Sequence, residues 1–229
     1  IDIADSMVAF GAELAGDPYD VEGTVFKVAP AATGGVVIVG LAQGKTATNG
    51  ELEIPKNLDG KPVVGIDDGA FRDKDLTKVS FADDLELESI GDGAFQGNDL
   101  EGQLTVPAKE VGENAFAQNK LTKVTLKGTE TVKKDAFRDN RLTGVDFQPA
   151  TGTQAALEER AFLNNRLSGE LDLTKVGAVG NEAFALNDVR SATVGDQTNL
   201  GDKVFDKNKG WIELKSDNGS DEARGIVTK

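Results

Sequence analysis

The side chains of this 229-residue chain that could do chemistry are carboxylates. With no His and no Cys, neither a Ser-His-Asp nor a Cys-His nucleophilic site can be built. Disulfides and Cys-ligated zinc are excluded with them. The P-loop and the H-E-x-x-H zinc motif are absent. Glu170 and Asp172 alternate along one strand-like segment, where Asp146 is expected as a neighbour. Such carboxylates support glycoside hydrolysis when a pocket raises the pKa of one of them. The residues around them supply no such pocket, so no enzyme and no cofactor is expected. Asp83-Asp84 with Glu86 and Glu88, and Asp217 with Asp221-Glu222, lack the ordered spacing of an EF-hand loop. They read as solvated acidic loops, and no metal site is expected.

What positions these residues is a repeat. Phe recurs at Phe71, Phe95, Phe116, Phe137, Phe162, Phe184 and Phe205, spaced by 24, 21, 21, 25, 22 and 21 residues. An aliphatic residue stands five before each: Ile66, Ile90, Val111, Val132, Leu157, Val179 and Leu200. Ala precedes the Phe directly in all copies but the last, where Val204 stands. Three residues after it comes Asn98, Asn119, Asn140, Asn165, Asn187 or Asn208, with Lys74 in the first copy. A period near 22 residues is the mark of a solenoid, whose coils cannot bury an apolar side alone and must stack to do so.

After each Asn the pattern L-x-x-V-x-L has period two, as in Leu121, Val124 and Leu126, and predicts a short strand with one face buried. Two copies, Asn98 to Val106 and Asn165 to Leu173, carry one more residue, with Gly102 and Gly169 in the extension; a bulge or kink is expected there. The Asn lies where the chain leaves the Phe turn and enters the strand. Its amide offers donor and acceptor together, so a stacked ladder of amides is expected to satisfy backbone groups that the turn leaves unpaired. Asn208, at the terminal copy, is expected to contribute least.

The segments I-G-x-x-A-F (Ile90, Gly91, Ala94, Phe95; Val111, Gly112, Ala115, Phe116; Val179, Gly180, Ala183, Phe184) followed by L-x-x-V-x-L resemble the BspA-like type of leucine-rich repeat of bacterial surface proteins. The resemblance covers roughly residues 50 to 215. Many such repeats carry Cys after the Phe, where this chain has Asn. The expected fold is an α/β-type solenoid of about seven coils with a parallel sheet of short strands. The resemblance implies export, a cell-surface location and contact with macromolecules of a host or neighbouring cell.

Three regions are expected: an N-terminal segment with a capping hairpin over residues 1–50, the solenoid over 51–215, and a C-terminal loop or tail over 216–229. Val36 to Val39, bounded by Gly34-Gly35 and Gly40, reads as part of the hairpin; Leu52 and Ile54 read as the strand of an incomplete coil. Ile3, Met7, Phe10 and Leu14 could share one helical face, which Gly11 and Gly16 oppose. Trp211, Ile212 and Leu214 read as a last degenerate strand. The chain starts at Ile1, as expected of a processed or excised piece whose signal and anchor lie outside it. No apolar run is long enough to span a bilayer, so no direct membrane insertion is expected. The sequon Asn218-Gly219-Ser220 is one short match in the tail. A formal charge of −14 opposes nucleic-acid binding.

What remains for function is surface. Lys78, Ser80, Gln103, Thr105, Lys123, Thr125, Gly144, Asp146, Glu170, Asp172, Ser191 and Thr193 alternate with the buried strand residues and are expected to point outward. This strip runs from Lys-rich to acidic. It is the candidate ligand face for a protein or glycan partner; a solvated sheet face chosen for β-propensity is the plainer reading. A non-catalytic adhesion module and a spacer that presents another domain are the two functions the sequence admits.

Overall fold

Seven stacked phenylalanine rings run through the centre of the protein. The computed structural model describes residues 13–210, 212–216 and 225–227. Successive rings from Phe71 to Phe205 lie 5.1–5.9 Å apart between centroids, and from Phe95 to Phe184 they are tilted by no more than 9°. All seven are at most 2% exposed. The aliphatic five residues earlier is equally enclosed in the first six coils, as for Ile90, Val111 and Val132 at 0%, and half-buried in the last, at Leu200.

The chain opens with strands β1 (Tyr19–Asp20), β2 (Phe26–Pro30) and β3 (Val36–Leu41). They pair antiparallel in that order, which forms the expected hairpin. Then come β4 (Glu51–Ile54), β5 (Asn57–Leu58) and β6 (Lys61–Ile66). The coils follow with β7 (Lys78–Phe81), β8 (Leu87–Ile90), β9 (Glu101–Val106), β10 (Ala108–Val111), β11 (Lys120–Lys127) and β12 (Thr131–Val132). They continue with β13 (Gly144–Gln148), β14 (Ala155–Leu157), β15 (Ser168–Leu173), β16 (Val176–Val179), β17 (Asp188–Val194) and β18 (Asn199–Leu200). The last strands are β19 (Ile212–Ser216) and β20 (Gly225–Val227), which pair antiparallel.

Each coil therefore has two strands. The odd-numbered strands from β7 onward form the front, where L-x-x-V-x-L predicted them. The even-numbered strands from β6 to β18 form a continuous parallel back sheet, β6-β8-β10-β12-β14-β16-β18, which joins β3 and the hairpin at its start. The hairpin thereby covers the first open edge of the back sheet.

The expectation of an α/β-type solenoid is corrected: among the described residues there is no helix, and the second side of each coil is β. The reason lies in the Phe turns. The residues two before and two after the Phe adopt positive φ: Asn114 and Gln118 (56° and 58°), Asp135 and Asp139 (57° and 58°), Arg160 and Asn164 (55° and 57°), Glu182 and Leu186 (57° and 54°). A left-handed residue ends a right-handed helix and costs about 1–2 kcal/mol outside glycine. The turn amides bond to the next coil instead of along a helix. Phe95 N donates to Ala115 O at 2.7 Å, Phe116 N to Ala136 O at 2.8 Å, and Phe137 N to Ala161 O at 2.8 Å. The turns thus form a third ladder that offsets their strain.

A longer period overlies the single coil. The spacings 24, 21, 21 are followed by 25, 22, 21, and the first and fourth coils share A-F-R-D-x-x-L-T-x-V-x-F from Ala70 and Ala136. Phe81 meets Phe95 edge-on at 6.3 Å and 82°, and Phe147 meets Phe162 at 6.0 Å and 90°. Gly102 (φ 76°) and Gly169 (φ 71°) are matching left-handed positions one coil later. Register shifts fall beside both glycines, but the unpaired extra residue is on the following strand, Thr122 of β11 and Arg190 of β17, while Gly102 and Gly169 pair with Leu121 and Val189. Residues Ile3, Met7, Phe10 and Trp211 lie outside the described residues; Leu14 makes an isolated antiparallel bridge to Ala31.

Candidate functional site

The outward residues of the front strands align in two columns. One carries Glu51, Lys78, then Gln103, Lys123 and Gly144, then Glu170, Ser191 and Glu213. The other carries Glu53, Ser80, then Thr105, Thr125 and Asp146, then Asp172, Thr193 and Lys215. All of the sequence-predicted residues lie exposed or half-buried on this side, over a core of Val79, Leu104, Val124, Leu171 and Ala192. Two features differ from the simple strip. Glu51 and Glu53 flank Lys78 and Ser80, so the early end is mixed in charge. The front is also three separate sheets, β4-β7, β9-β11-β13 and β15-β17-β19-β20.

Both breaks follow the longer period. β9 and β15 each carry the extra glycine residue, whereas β7 and β13 before them do not. Each break falls before the strand with the extension; on its other side, β9 and β15 pair with β11 and β17, which lack the extra residue, through one register shift each. Between β7 and β9 the chains are joined at one end, by Asp99 N to Leu76 O (2.8 Å) and Glu101 N to Thr77 O (3.2 Å). Leu87 N to Pro107 O (2.8 Å) closes the other. In between lies a cleft of about 820 Å³, with Lys78, Ser80, Gln103 and Thr105 along its walls and Phe81 and Pro107 among its apolar lining. Lys78 and Ala82 donate their amides to Gly50 O and Ile54 O on the β4 side. The alternation of a parallel ladder therefore turns the amides and carbonyls of Val79 and Phe81 toward the cleft, where no ladder forms.

The second break separates Asp146 from Glu170 and Asp172, which sit on opposite sides of it. Each is engaged locally. Asp146 accepts from Gln148 Nε2 (2.6 Å), Asp172 Oδ1 from Thr174 N (2.9 Å) and Oγ1 (2.7 Å), and Glu170 Oε1 from Thr193 Oγ1 (2.7 Å). They form no sheet pair of the kind the hydrolysis reading needs.

The asparagines are structural. Asn119 Oδ1 accepts from Leu100 N in the preceding coil at 3.0 Å. Its Nδ2 donates to Phe95 O of that coil (2.9 Å) and to Phe116 O of its own (3.2 Å). Asn140, Asn165 and Asn187 repeat the set. Asn208, of which less was expected at the terminal copy, makes the same bonds and is 3% exposed. On the back, burial raises the carboxyls of Asp67 and Asp68 above the usual range. Glu110 is raised by the same cause, against the pull of Lys133 at 3.0 Å.

Sequence reasoning missed one group. Four residues after the Phe, at the rim between turn and front strand, stand Asp75, Asp99, Lys120, Arg141, Arg166, Asp188 and Lys209. Lys120, Arg141 and Arg166 fall in three consecutive coils and line a recess of about 390 Å³ with Asn164 and Asp139. The Phe register alone identifies this column.

The BspA type leucine rich repeat region matches residues 88–211, in six copies. Two solved structures are similar. A leucine-rich cell surface protein from Faecalibacterium prausnitzii A2-165 is 16% identical over 83% of this chain and 74% of that one, with a TM-score of 0.47. The pneumococcal vaccine antigen PcpA is 15% identical over 87% of this chain, with a TM-score of 0.58; this chain spans 53% of it. Among curated proteins none matches. The family match takes in more than half of the chain and coincides with the stacked Phe coils, the Asn ladder and the front strands: this chain belongs to the BspA-type leucine-rich repeat family.

Proposed function

We propose that this chain is a non-catalytic recognition module of a bacterial cell surface that engages a protein or glycan through its front strands, centred on the cleft between β7 and β9. The observation that carries this reading is the cleft itself. A regular solenoid face would be paired throughout. Here the ladder stops between β7 and β9, which leaves ladder groups of Val79 and Phe81 facing a cleft walled by Lys78, Ser80, Gln103 and Thr105. Its volume lies within the roughly 300–1,000 Å³ typical of ligand pockets. The surface location rests on family membership and on the cell-surface protein among the similar structures.

One observation favours a spacer that presents another domain. Among the described residues the one large hydrophobic side chain that is exposed is Leu186, at 42%, and apolar anchors carry most interface energy. The two readings separate in a binding assay against matrix proteins and glycans. Wild type is compared with Ser80→Arg/Thr105→Arg, which fills the cleft, and with Lys123→Glu/Asp146→Lys/Asp172→Lys, which inverts the adjoining strip. Both variants are first shown to melt as wild type does. The recognition reading expects a bound ligand whose affinity falls about tenfold or more in the first variant, some 1.4 kcal/mol. Equal binding by both variants removes the front from the site. No binding across the panel leaves the spacer.

A further inference from the structure

The rim recess is separate from the front cleft and has its own chemistry. Arg141 and Arg166 occupy the same position in successive coils, whose Phe rings are 5.3 Å apart. Their backbone amides are fixed by Leu121 O (3.0 Å) and Leu142 O (2.9 Å). Both side chains are exposed, and among the described residues neither makes an ion pair or a side-chain hydrogen bond. The nearby carboxylates are already engaged. Asp99 holds Lys120 at 2.6 Å, Asp139 holds Arg138 at 3.2 Å and accepts from Asn164 at 2.7 Å, and Asp188 holds Arg190 at 3.4 Å. Two exposed arginines one coil apart with no ion-pair partner among the described residues, in a chain of net charge −14, are not accounted for by general solubility.

The longer period shows that packing does not ask for them. Arg141 and Arg166 stand where the first triplet of coils has Asp75 and Asp99. The same backbone position takes either sign, so the pair is a property of this part of the surface. Guanidinium groups bind carboxylates and tetrahedral oxyanions such as phosphate and sulfate through paired N–H donors.

We propose that Arg141 and Arg166 form a binding site for a linear glycan carrying one oxyanion, carboxylate or sulfate, per sugar. The coil spacing presents the cations in a row, as such a chain presents its charges. The exposed amide of Asn164 in the recess suits sugar hydroxyls. The recess is lined entirely by polar side chains, which disfavours a protein partner needing an apolar anchor. Duplex nucleic acid, at one charge per ~1.7 Å, is far denser in charge than this row and is repelled by the rest of the molecule.

The test is titration calorimetry with three probes of equal length: a galacturonic-acid oligomer, a sulfated glucose oligomer and a neutral glucose oligomer, with poly-glutamate as a fourth. Binding of either acidic glycan, weakened by salt and lost about tenfold or more in Arg141→Gln/Arg166→Gln, is the expected result. The stronger of the two identifies the oxyanion. Lys45→Gln/Lys56→Gln makes the same change in net charge elsewhere and should leave affinity unaltered. Equal loss in both double variants would reduce the effect to net charge and overturn the site. So would binding of the neutral oligomer as tight as that of the acidic ones, binding of poly-glutamate alone, or no binding by wild type.

Discussion

At the scale of single residues, one side chain repeated six times joins the coils. Each Asn makes four backbone bonds, at least two of them to the preceding coil, in a buried place that water cannot serve. Replacing Asn140 by Ala leaves Leu121 N, Phe116 O, Phe137 O and Arg138 O without that partner. A loss of about 1–3 kcal/mol is expected in chemical denaturation. Asn208→Ala should lose a similar amount, because its four bonds are equally formed. Negligible loss at both sites would mean that backbone or water takes over the role. The Phe, Ala and Asn columns were legible because each is one residue type at a fixed offset. The left-handed positions were not. They hold Gly69, Gly93 and Gly97 in the first two coils and Asn, Gln, Asp, Arg, Glu, Lys and Leu elsewhere, since inter-coil bonds help to hold that backbone whatever the side chain.

At the scale of elements, the front strands were legible from period two, and the opening hairpin from its bounding glycines. The back strands were not, because two to four residues such as Thr131–Val132 are too short to show a period; the solenoid expectation then filled that side with helix. The glycine extensions were read as bulges, but the broken sheet and the cleft beside them depend on the strand next door and so on three-dimensional register. The rim arginines were not legible, because their position holds Asp, Lys or Arg from coil to coil and lies outside the period-two pattern. The Gly of I-G-x-x-A-F has a structural account of its own. A Cβ on Gly112 would stand 2.6 Å from the carbonyl carbon of Gly91 in the coil before. Backbone cannot swing aside as a side chain can. Gly112→Ala is therefore expected to cost about 1–3 kcal/mol by forcing two coils apart. A neutral effect on the melting midpoint would show that the coils separate more freely than their hydrogen bonds imply.

At the scale of the whole molecule, four arrays run along one axis: the Phe stack, the Asn amides, the turn ladder and the back sheet. All continue across both breaks in the front, so the face can open without parting the body. The central claim is that stacked coils, held by the Phe column, form the rigid support on which both proposed sites are displayed. Phe137 is the middle ring, sandwiched by Phe116 and Phe162 at 5.3 Å on each side and fully buried. The most direct measurement is urea denaturation of Phe137→Ala beside wild type. A single cooperative transition, destabilised by about 3–5 kcal/mol, is the result the stacked core predicts. A loss below about 1 kcal/mol would contradict it, because a ring that can be removed so lightly is not holding the coils together.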